Sequence, residues 1–390
     1  MARVMLGWEL GGNRGHAEAL KAIALALIAD GHDPVIAAKE PLRFTGFDAC
    51  PVMQAPIWPG MLVPVAAHRP GPPVSMADIL TGLGILLPGA LASLIRSWDA
   101  VFGAFRPDVV IGDFAPALFT AARGRIRTIS TGSGFCQPPA DMSELPDLLR
   151  ASQAAPSQPL LAAINAELAA TGRTALAAAP ELFAADHIVV SSFAEFDPYR
   201  RWRKSSYAMP SLAPLAAIPE QPGDEVFVYY HRADPASLPL WEALAKTGLT
   251  IRTFVGQPSA DGHAALTALG ILVERNPLSW EAIASRSRVV VSHGGLGFSS
   301  GAVAMGLPHL VLAYDLEKIL TGLAVRQLGA GDTIMPHLRE RDATEQLLKL
   351  YADERLRNKT RAAAVGMQER IAHDAGQDDV TVVRRLVAKI

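Results

Sequence analysis

Cysteine is nearly absent from this chain: Cys50 and Cys136 are the only two in 390 residues, and they stand far apart. That is too few for a disulfide framework, and their spacing suits no metal-binding motif, so the expected setting is a reducing compartment. Excess charge is missing too. The net charge is −2 at neutral pH, which gives no reason to expect nucleic acid as a partner. No apolar run has the length of a membrane span. Arg3 is followed only by Val4-Met5-Leu6-Gly7 before Trp8-Glu9, too short for a signal-peptide core. These absences predict a soluble, cytoplasmic protein. Half of the chain is hydrophobic, which suits well-packed globular structure, and 390 residues exceed one ordinary core. Two domains are therefore expected.

The most informative stretch is Val289-Val290-Val291-Ser292-His293-Gly294-Gly295-Leu296-Gly297. Three consecutive valines read as a buried strand of a parallel sheet. Glycines at 294, 295 and 297 then lead into a helix expected from Ser299 to Met305. A strand, a glycine turn and a helix N-terminus together make an anion site, because free backbone N–H groups and the helix dipole point into the turn. His293 at the strand tip can add a side-chain donor. The plainer reading is a glycine-rich turn with a packing histidine.

An earlier unit has the same rhythm. Val4-Met5-Leu6-Gly7 predicts a strand, Gly11-Gly12-Asn13-Arg14-Gly15-His16 a glycine turn, and Ala17 to Ala29 a helix with Leu20, Ile23, Leu27 and Ile28 on one face. Val35-Ile36-Ala37-Ala38 is the next strand, completing a βαβ unit whose turn lies where open α/β sheets bind ligands. The GGxxGH spacing is not the dinucleotide fingerprint. Residues 51–73, with Trp58, Met61 and Leu62, read as a long loop able to wall an apolar pocket or simply to cover the sheet. Helix is expected from Ile79 to Phe105, interrupted at Pro88-Gly89, and across the alanine-rich residues 141–185. Pro107 to Asp113 predicts a buried strand ending in a carboxylate, and Ile126 to Thr131 another, closing on Gly132-Ser133-Gly134-Phe135. His187 to Ser192 resumes the sheet. The basic, aromatic Tyr199-Arg200-Arg201-Trp202-Arg203-Lys204 reads as a solvated turn, with a peripheral membrane contact as the alternative.

Prolines at 210, 214, 219 and 222 mark residues 209–223 as a linker between a first domain, 1–208, and a second, 224–372. Strands are expected at Glu225–Tyr230, Thr250–Val255, Ile271–Arg275, Arg288–His293 and Pro308–Ala313. Residues 373–390 form a terminal helix able to pack back on the first domain. The predicted fold class is α/β: two Rossmann-like, doubly wound parallel sheets facing a cleft.

Four motifs in this order resemble the inverting GT-B glycosyltransferases, the nucleotide-sugar group that includes plant, macrolide and glycopeptide enzymes. Gly11 to His16 is similar to the motif carrying the catalytic histidine, and Pro107 to Asp113 to the strand whose acid orients it. Ser292 to Gly297 resembles the donor diphosphate motif, and Leu316-Glu317-Lys318 through Leu328-Gly329-Ala330-Gly331 the donor-sugar stretch. The resemblance implies sugar transfer from a nucleotide-diphosphate donor, UDP- or dTDP-linked, to a hydroxyl of a small hydrophobic or aromatic acceptor. An alcohol is a poor nucleophile at neutral pH, so His16 is the expected base and Asp113 its orienting partner. Donor contacts are expected from Gly12, Gly15, Ser292, His293, Gly294, Gly295, Gly297, Phe298 and Ser299. The resemblance adds Arg275, Asn276 and Leu278 at the nucleobase, with a guanidinium where plant enzymes have tryptophan. It also adds Glu317 at the sugar hydroxyls and Lys318 in place of the usual glutamine. Trp58, Met61, Gly132, Ser133 and Phe135 are the expected acceptor contacts. Neither a metal nor a resident cofactor is implied.

Two positions depart from the family. Phe298 stands where relatives carry serine or threonine, and Gly301 where they carry an acid for the ribose hydroxyls. The loss of that charge-assisted bond, typically ~1.5–3 kcal/mol, implies a ribose held otherwise, a weaker donor affinity or a different donor. A nucleotide-sugar hydrolase or epimerase, and a non-catalytic binding or partner protein, are the alternatives on this fold.

Overall fold

The structure, a computed structural model, describes residues 1–12, 14–65, 72–150, 156–210, 212, 215–230, 237–255, 260–335 and 339–390, with only the backbone described at 339–341. Asn13 of the first glycine turn and Pro214 of the proline-rich stretch lie outside them. The chain divides into two compact units, Met1–Ser211 with Gly376–Ile390, and Leu212–Ala375.

In the first unit, β1 (Arg3–Trp8), β2 (Asp33–Ala38), β3 (Val52–Gln54), β4 (Val109–Asp113), β5 (Arg127–Gly132), β6 (His187–Ser191) and β7 (Tyr207–Ala208) form one sheet. Its order is β3-β2-β1-β4-β5-β6-β7, and every pairing is parallel. The direction of winding reverses between β1 and β4, the place where such sheets open a ligand crevice. Register sets Trp8 beside Asp113 there. The helices are α1 (Arg14–Ala29), α2 (Met76–Gly82), α3 (Ala90–Phe105), α4 (Pro116–Ala122) and α5 (Ser157–Ala169). Leu20, Ile23, Ala24 and Leu27 of α1 are buried against Val4, Leu6, Ile36 and Ile111 of the sheet.

The second unit repeats the plan with β8 (Glu225–Tyr229), β9 (Ile251–Phe254), β10 (Leu272–Glu274), β11 (Ser287–Ser292), β12 (His309–Leu312) and β13 (Gly331–Ile334). Here the order is β10-β9-β8-β11-β12-β13, again all parallel, reversing between β8 and β11. The three valines of β11 are buried on both faces: Val289 and Val291 belong to one core cluster and Val290 to the other. That follows from the strand's two-residue alternation within a sheet covered on both sides. The helices are α6 (Leu238–Ala245), α7 (Ala260–Ala268), α8 (Trp280–Arg286), α9 (Leu296–Ala304), α10 (Leu316–Gln327), α11 (Arg339–Ala352) and α12 (Glu354–His373). The proline-rich residues stay close to this unit. Leu215 and Ala216 pack on its core, and the Gln368 amide donates to the Ala216 carbonyl at 3.1 Å.

A last helix, α13 (Asp379–Val387), belongs to the first unit. Val383 and Val387 enter its core, Ser191 Oγ donates to Asp379 Oδ2 at 2.8 Å, and Arg384 pairs with Asp30.

Several local expectations fail for identifiable reasons. Within residues 141–185 the only α-helix among the described residues is α5, with a short 3-10 turn at Ala179–Phe183. Pro138, Pro139 and Pro146 precede it, Pro156 caps it and Gly172 at φ +66° follows it. Proline supplies no N–H to a helix, and glycine accepts the left-handed turn. β3, β7 and β13 are strands without an apolar run. In β13 a Cβ at Gly331 would lie 1.9 Å from the His309 carbonyl oxygen, so close strand approach replaces side-chain pattern.

Candidate functional site

One group of candidate residues stands at the reversal point of the first sheet. α1 begins at Arg14, earlier than the apolar pattern implies, which puts His16 in its first turn. His16 Nδ1 lies 2.8 Å from Asp113 Oδ2 at the tip of β4, and the imidazole stacks on Trp8 with centroids 5.2 Å apart and planes 22° apart. Asp113 is buried while the His16 side chain keeps 13% exposure, so the carboxylate is fixed and the ring remains reachable. Room for the ring comes from Gly11. Its φ is +77°, and a Cβ there would sit 2.4 Å from His16 Nε2. Gly12 and Gly15 differ, since among the described residues a Cβ at either meets nothing within 4 Å. Immediately after Asp113, Phe114 holds φ +49°, a left-handed conformation unusual for an aromatic residue, and its carbonyl accepts the Leu10 N–H at 3.0 Å.

Behind this pair lies a buried carboxylate that the sequence does not advertise. Glu9 is 1% exposed and accepts four N–H donors: Trp58 Nε1 at 3.1 Å, Trp98 Nε1 at 2.6 Å, and the Ala117 and Leu118 amides at 3.0 and 2.7 Å. The two amides are at the start of α4, where free donors and the helix dipole favour an anion. Burial nevertheless pushes the carboxyl up to about 7, against the pull of those donors. Trp58, expected to meet an acceptor, is instead fully buried with its indole committed to Glu9.

Met61 is half-buried, whereas Ile57, Leu62, Val63, Leu86 and Leu87 are exposed. The Gly60 amide donates to the Leu83 carbonyl at 3.0 Å, tying the two apolar segments together. A Cβ at Gly60 would fall 2.3 Å from the Gly82 carbonyl oxygen, so only glycine permits this contact.

The loop after β5 is rigidly held. Gln137 Nε2 donates to the Gly132 and Val189 carbonyls at 2.7 and 3.0 Å, and Ser133 Oγ donates to Cys136 Sγ at 3.2 Å. Phe135 is buried edge-on against Phe114, with centroids 6.1 Å apart. Arg203, read from sequence as part of a solvated basic turn, points inward. Its side chain is 2% exposed, pairs with buried Asp197 and donates to the Gln137 carbonyl at 2.9 Å. Arg201 does remain outside, 3.8 Å over the Trp202 ring.

In the second unit, α9 starts at Leu296 with Gly295 as its N-cap, three residues before the expected start. The amides of Leu296, Gly297 and Phe298 are therefore first-turn groups with no partner inside the helix. Gly294 holds φ +88° and a Cβ there would strike the Val311 side chain at 2.7 Å. Its amide donates to Ser292 Oγ at 3.0 Å, and that hydroxyl lies 2.8 Å from His309 Nε2. Complete burial drives the His309 imidazole down to about 3, so it is neutral near pH 7. His293 is 94% buried among Tyr229, Tyr230 and Tyr314, with ring centroids 5.6, 6.2 and 6.0 Å away. Ser299 and Ser300 are fully buried in the same helix.

Phe298 and Gly301 both answer to Trp280. The Phe298 ring packs on Tyr229, Trp280 and His309 at 5.0, 5.1 and 5.9 Å, leaving its amide as the group it offers. A Cβ at Gly301 would lie 2.1 Å from Trp280 Cζ2, so the indole occupies the place any side chain there would need. Leu278 joins this aromatic cluster, while Arg275 and Asn276 are exposed beyond the end of β10. β9 and β8 separate that strand from β11, so the structure does not bring Arg275 to the glycine turn through the sheet.

Lys318 and Glu317 open α10, and Asp315 caps it by accepting the Lys318 amide at 2.9 Å. Lys318 Nζ donates to Glu317 Oε2. Burial lowers the ammonium's affinity for its proton, but Glu317, Asp315 and Tyr314 together hold it above the ordinary lysine value. The Lys318 backbone also comes beside Gly294, so these two motifs share one place.

Sequence reasoning missed Trp8, Glu9, Trp280 and His309. Trp8 and Glu9 follow directly on the first strand's apolar run, which is a signal of position; Trp280 and His309 carry none.

No known family model matches the sequence, and no curated protein matches it significantly. Solved structures do match over the full length. The calicheamicin glycosyltransferase CalG4 superposes with a TM-score of 0.68 at 17% identity, covering 99% of this chain and 98% of that one. The spinosyn rhamnosyltransferase SpnG complexed with thymidine diphosphate gives 0.64 at 17% identity, covering 99% and 100%. SsfS6 of Streptomyces sp. SF2575, also complexed with thymidine diphosphate, gives 0.62 at 18%, covering 100% of both chains. The fold is GT-B, two parallel-sheet α/β domains of seven and six strands. Among the described residues, no helix is long and apolar enough to cross a membrane.

Proposed function

We propose that this protein is an inverting glycosyltransferase that moves a sugar from a nucleotide-diphosphate donor to a hydroxyl of a small, hydrophobic or aromatic acceptor. The observation that carries the reading is the His16–Asp113 pair, 2.8 Å apart at the reversal point of its sheet. His16 takes the acceptor proton as the hydroxyl attacks the anomeric carbon. Asp113 orients the ring and stabilises the imidazolium that forms. The departing nucleotide diphosphate gains negative charge, which the first-turn amides of α9, its dipole and His293 stabilise with no metal. Donors of this kind typically contribute about 3 kcal/mol each to lowering the barrier.

Thymidine diphosphate in SpnG and SsfS6 favours a dTDP-linked donor here. With Gly301 covered by Trp280, the ribose is held by other groups than the acid at that position in relatives. Glu317 and Lys318 contact the sugar hydroxyls. The acceptor lies against the apolar segments around Met61 and Leu86, near Ser133, and the protein works in the cytoplasm.

The test is product analysis with dTDP- and UDP-sugars, with and without a panel of aromatic and polyketide alcohols. Glycosylated acceptor with inverted configuration is the expected product. Free sugar formed equally with and without acceptor would replace transfer by hydrolysis. No product, together with no shift in melting temperature by any nucleoside diphosphate, would overturn both.

A further inference from the structure

The same corner of the first unit brings together three side chains of quite different metal chemistry. His16, Asp113 and Cys136 come from the first turn of α1, the tip of β4 and the loop after β5, and one ligand atom from each lies within 4.8 Å of the others. We infer that they form a site for a soft divalent cation, zinc being the natural example, which competes with proton transfer by His16. The inhibitory part rests on the transferase reading; the binding part does not.

Three features carry the inference. The first is the donor set. Imidazole nitrogen, carboxylate oxygen and thiolate sulfur are the three zinc ligand types, and three protein ligands with an open fourth position is an established arrangement. Tetrahedral bonds of about 2.0–2.3 Å place ligand atoms roughly 3.3–3.7 Å apart, so shifts on the order of an ångström complete the shell. The second is Asp113 itself. Oδ2 is engaged with His16, but Oδ1 is buried and has no hydrogen-bond partner among the described residues. A buried carboxylate oxygen left without a donor is costly, and a cation satisfies it. The third is Gly132, whose φ is +122°. A Cβ there would stand 2.6 Å from Asp113 Oδ1 and 3.6 Å from Cys136 Cβ, so any other residue would fill the space between two of the ligands.

The loop that carries the thiol is anchored at its ends, which leaves the side chains to make that adjustment. Cys136 is 2% exposed, accepts from Ser133 Oγ, and sits in the loop that Gln137 and Arg203 fix. Access is from the His16 side, which retains exposure. On binding, the thiol gives its proton to solvent, and thiolate plus carboxylate balance the ion's charge, so uptake strengthens as pH rises. Through either ring nitrogen, the ion takes the imidazole out of acid–base work.

Cobalt(II) added to the full metal-free chain reads the site without turnover. A thiolate-to-cobalt charge-transfer band with tetrahedral ligand-field absorption is expected, unchanged in Cys50→Ser and absent in Cys136→Ser. Asp113→Asn should weaken cobalt binding by about tenfold or more. Absence of the band in the wild type, or its persistence in Cys136→Ser, would overturn the site. Zinc inhibition is then measured for each variant against its own metal-free rate. Loss of zinc sensitivity in Cys136→Ser supports the competition, and equal sensitivity in both proteins refutes it. A chain that gives the cobalt band but transfers no sugar refutes the proposed function and keeps the metal site.

Discussion

Trp280 lies so close to Gly301 that a Cβ there would approach its Cζ2 to 2.1 Å. Glycine at 301 and the indole of Trp280 thus make an exchange of space, the ring filling the place a side chain would take. Gly301→Ala should therefore destabilise the second unit by about 1–3 kcal/mol through overpacking. Chemical denaturation would show it, and Trp280→Ala in the same chain should recover part of the loss that Gly301→Ala causes. Additive losses in the double variant would disprove the exchange.

His16 and His293 should separate cleanly in kinetics. His16→Ala is expected to lower transfer by about 10²-fold or more, while nucleotide affinity by calorimetry stays within a few-fold. His293→Ala should weaken both nucleotide binding and turnover. Near-normal transfer by His16→Ala would mean the proton leaves by another route.

Gly11 offers a subtler test of the same geometry. Gly11→Ala places a methyl group 2.4 Å from His16 Nε2, on a backbone at φ +77°. The imidazole must leave Trp8 or Asp113, and misplacement by an ångström can cost on the order of 10²-fold in rate. The expected signature is a fall in kcat with nucleotide affinity unchanged.

Glu9 makes stability depend on pH in an unusual direction. Its carboxyl is held at about 7 in the folded chain against an ordinary value of 4.5. Between those values the folded protein keeps a proton that the unfolded chain has released, so this group's contribution is complete below 4.5 and lost as pH rises through 7. The loss amounts to roughly 3 kcal/mol at most. Glu9→Gln does not titrate there. The stability gap between wild type and Glu9→Gln, measured in urea, should therefore shrink across that interval, and a constant gap would show that the four donors outweigh burial.

The alternation of strands, glycine turns and amphipathic helices was legible because both sheets are parallel and buried, and such strands are continuous apolar runs. Val289 to Val291 and Val109 to Asp113 carry that pattern plainly. The His16–Asp113 contact was legible for a related reason: both residues end their motifs at the same edge of one sheet. What stayed hidden depends on approach between segments distant in sequence. Nothing local says that Trp280 covers Gly301, that Arg203 turns inward to Asp197, or that Trp58 bonds to Glu9 across 49 residues. β13 stayed hidden because Gly331 and its neighbours pair through backbone proximity instead of apolar side chains.

Val383 and Val387 fill the core of a unit that otherwise ends before Leu212. During synthesis the intervening unit has all its residues in one stretch and can close as soon as it emerges. The earlier-made sheet is complete only once α13 has left the ribosome and covers the parts of α1 and β6 on which it packs. Order of manufacture and order of completion are thus reversed in this chain, and the apolar face left bare in the interval is where nascent-chain chaperones would be needed.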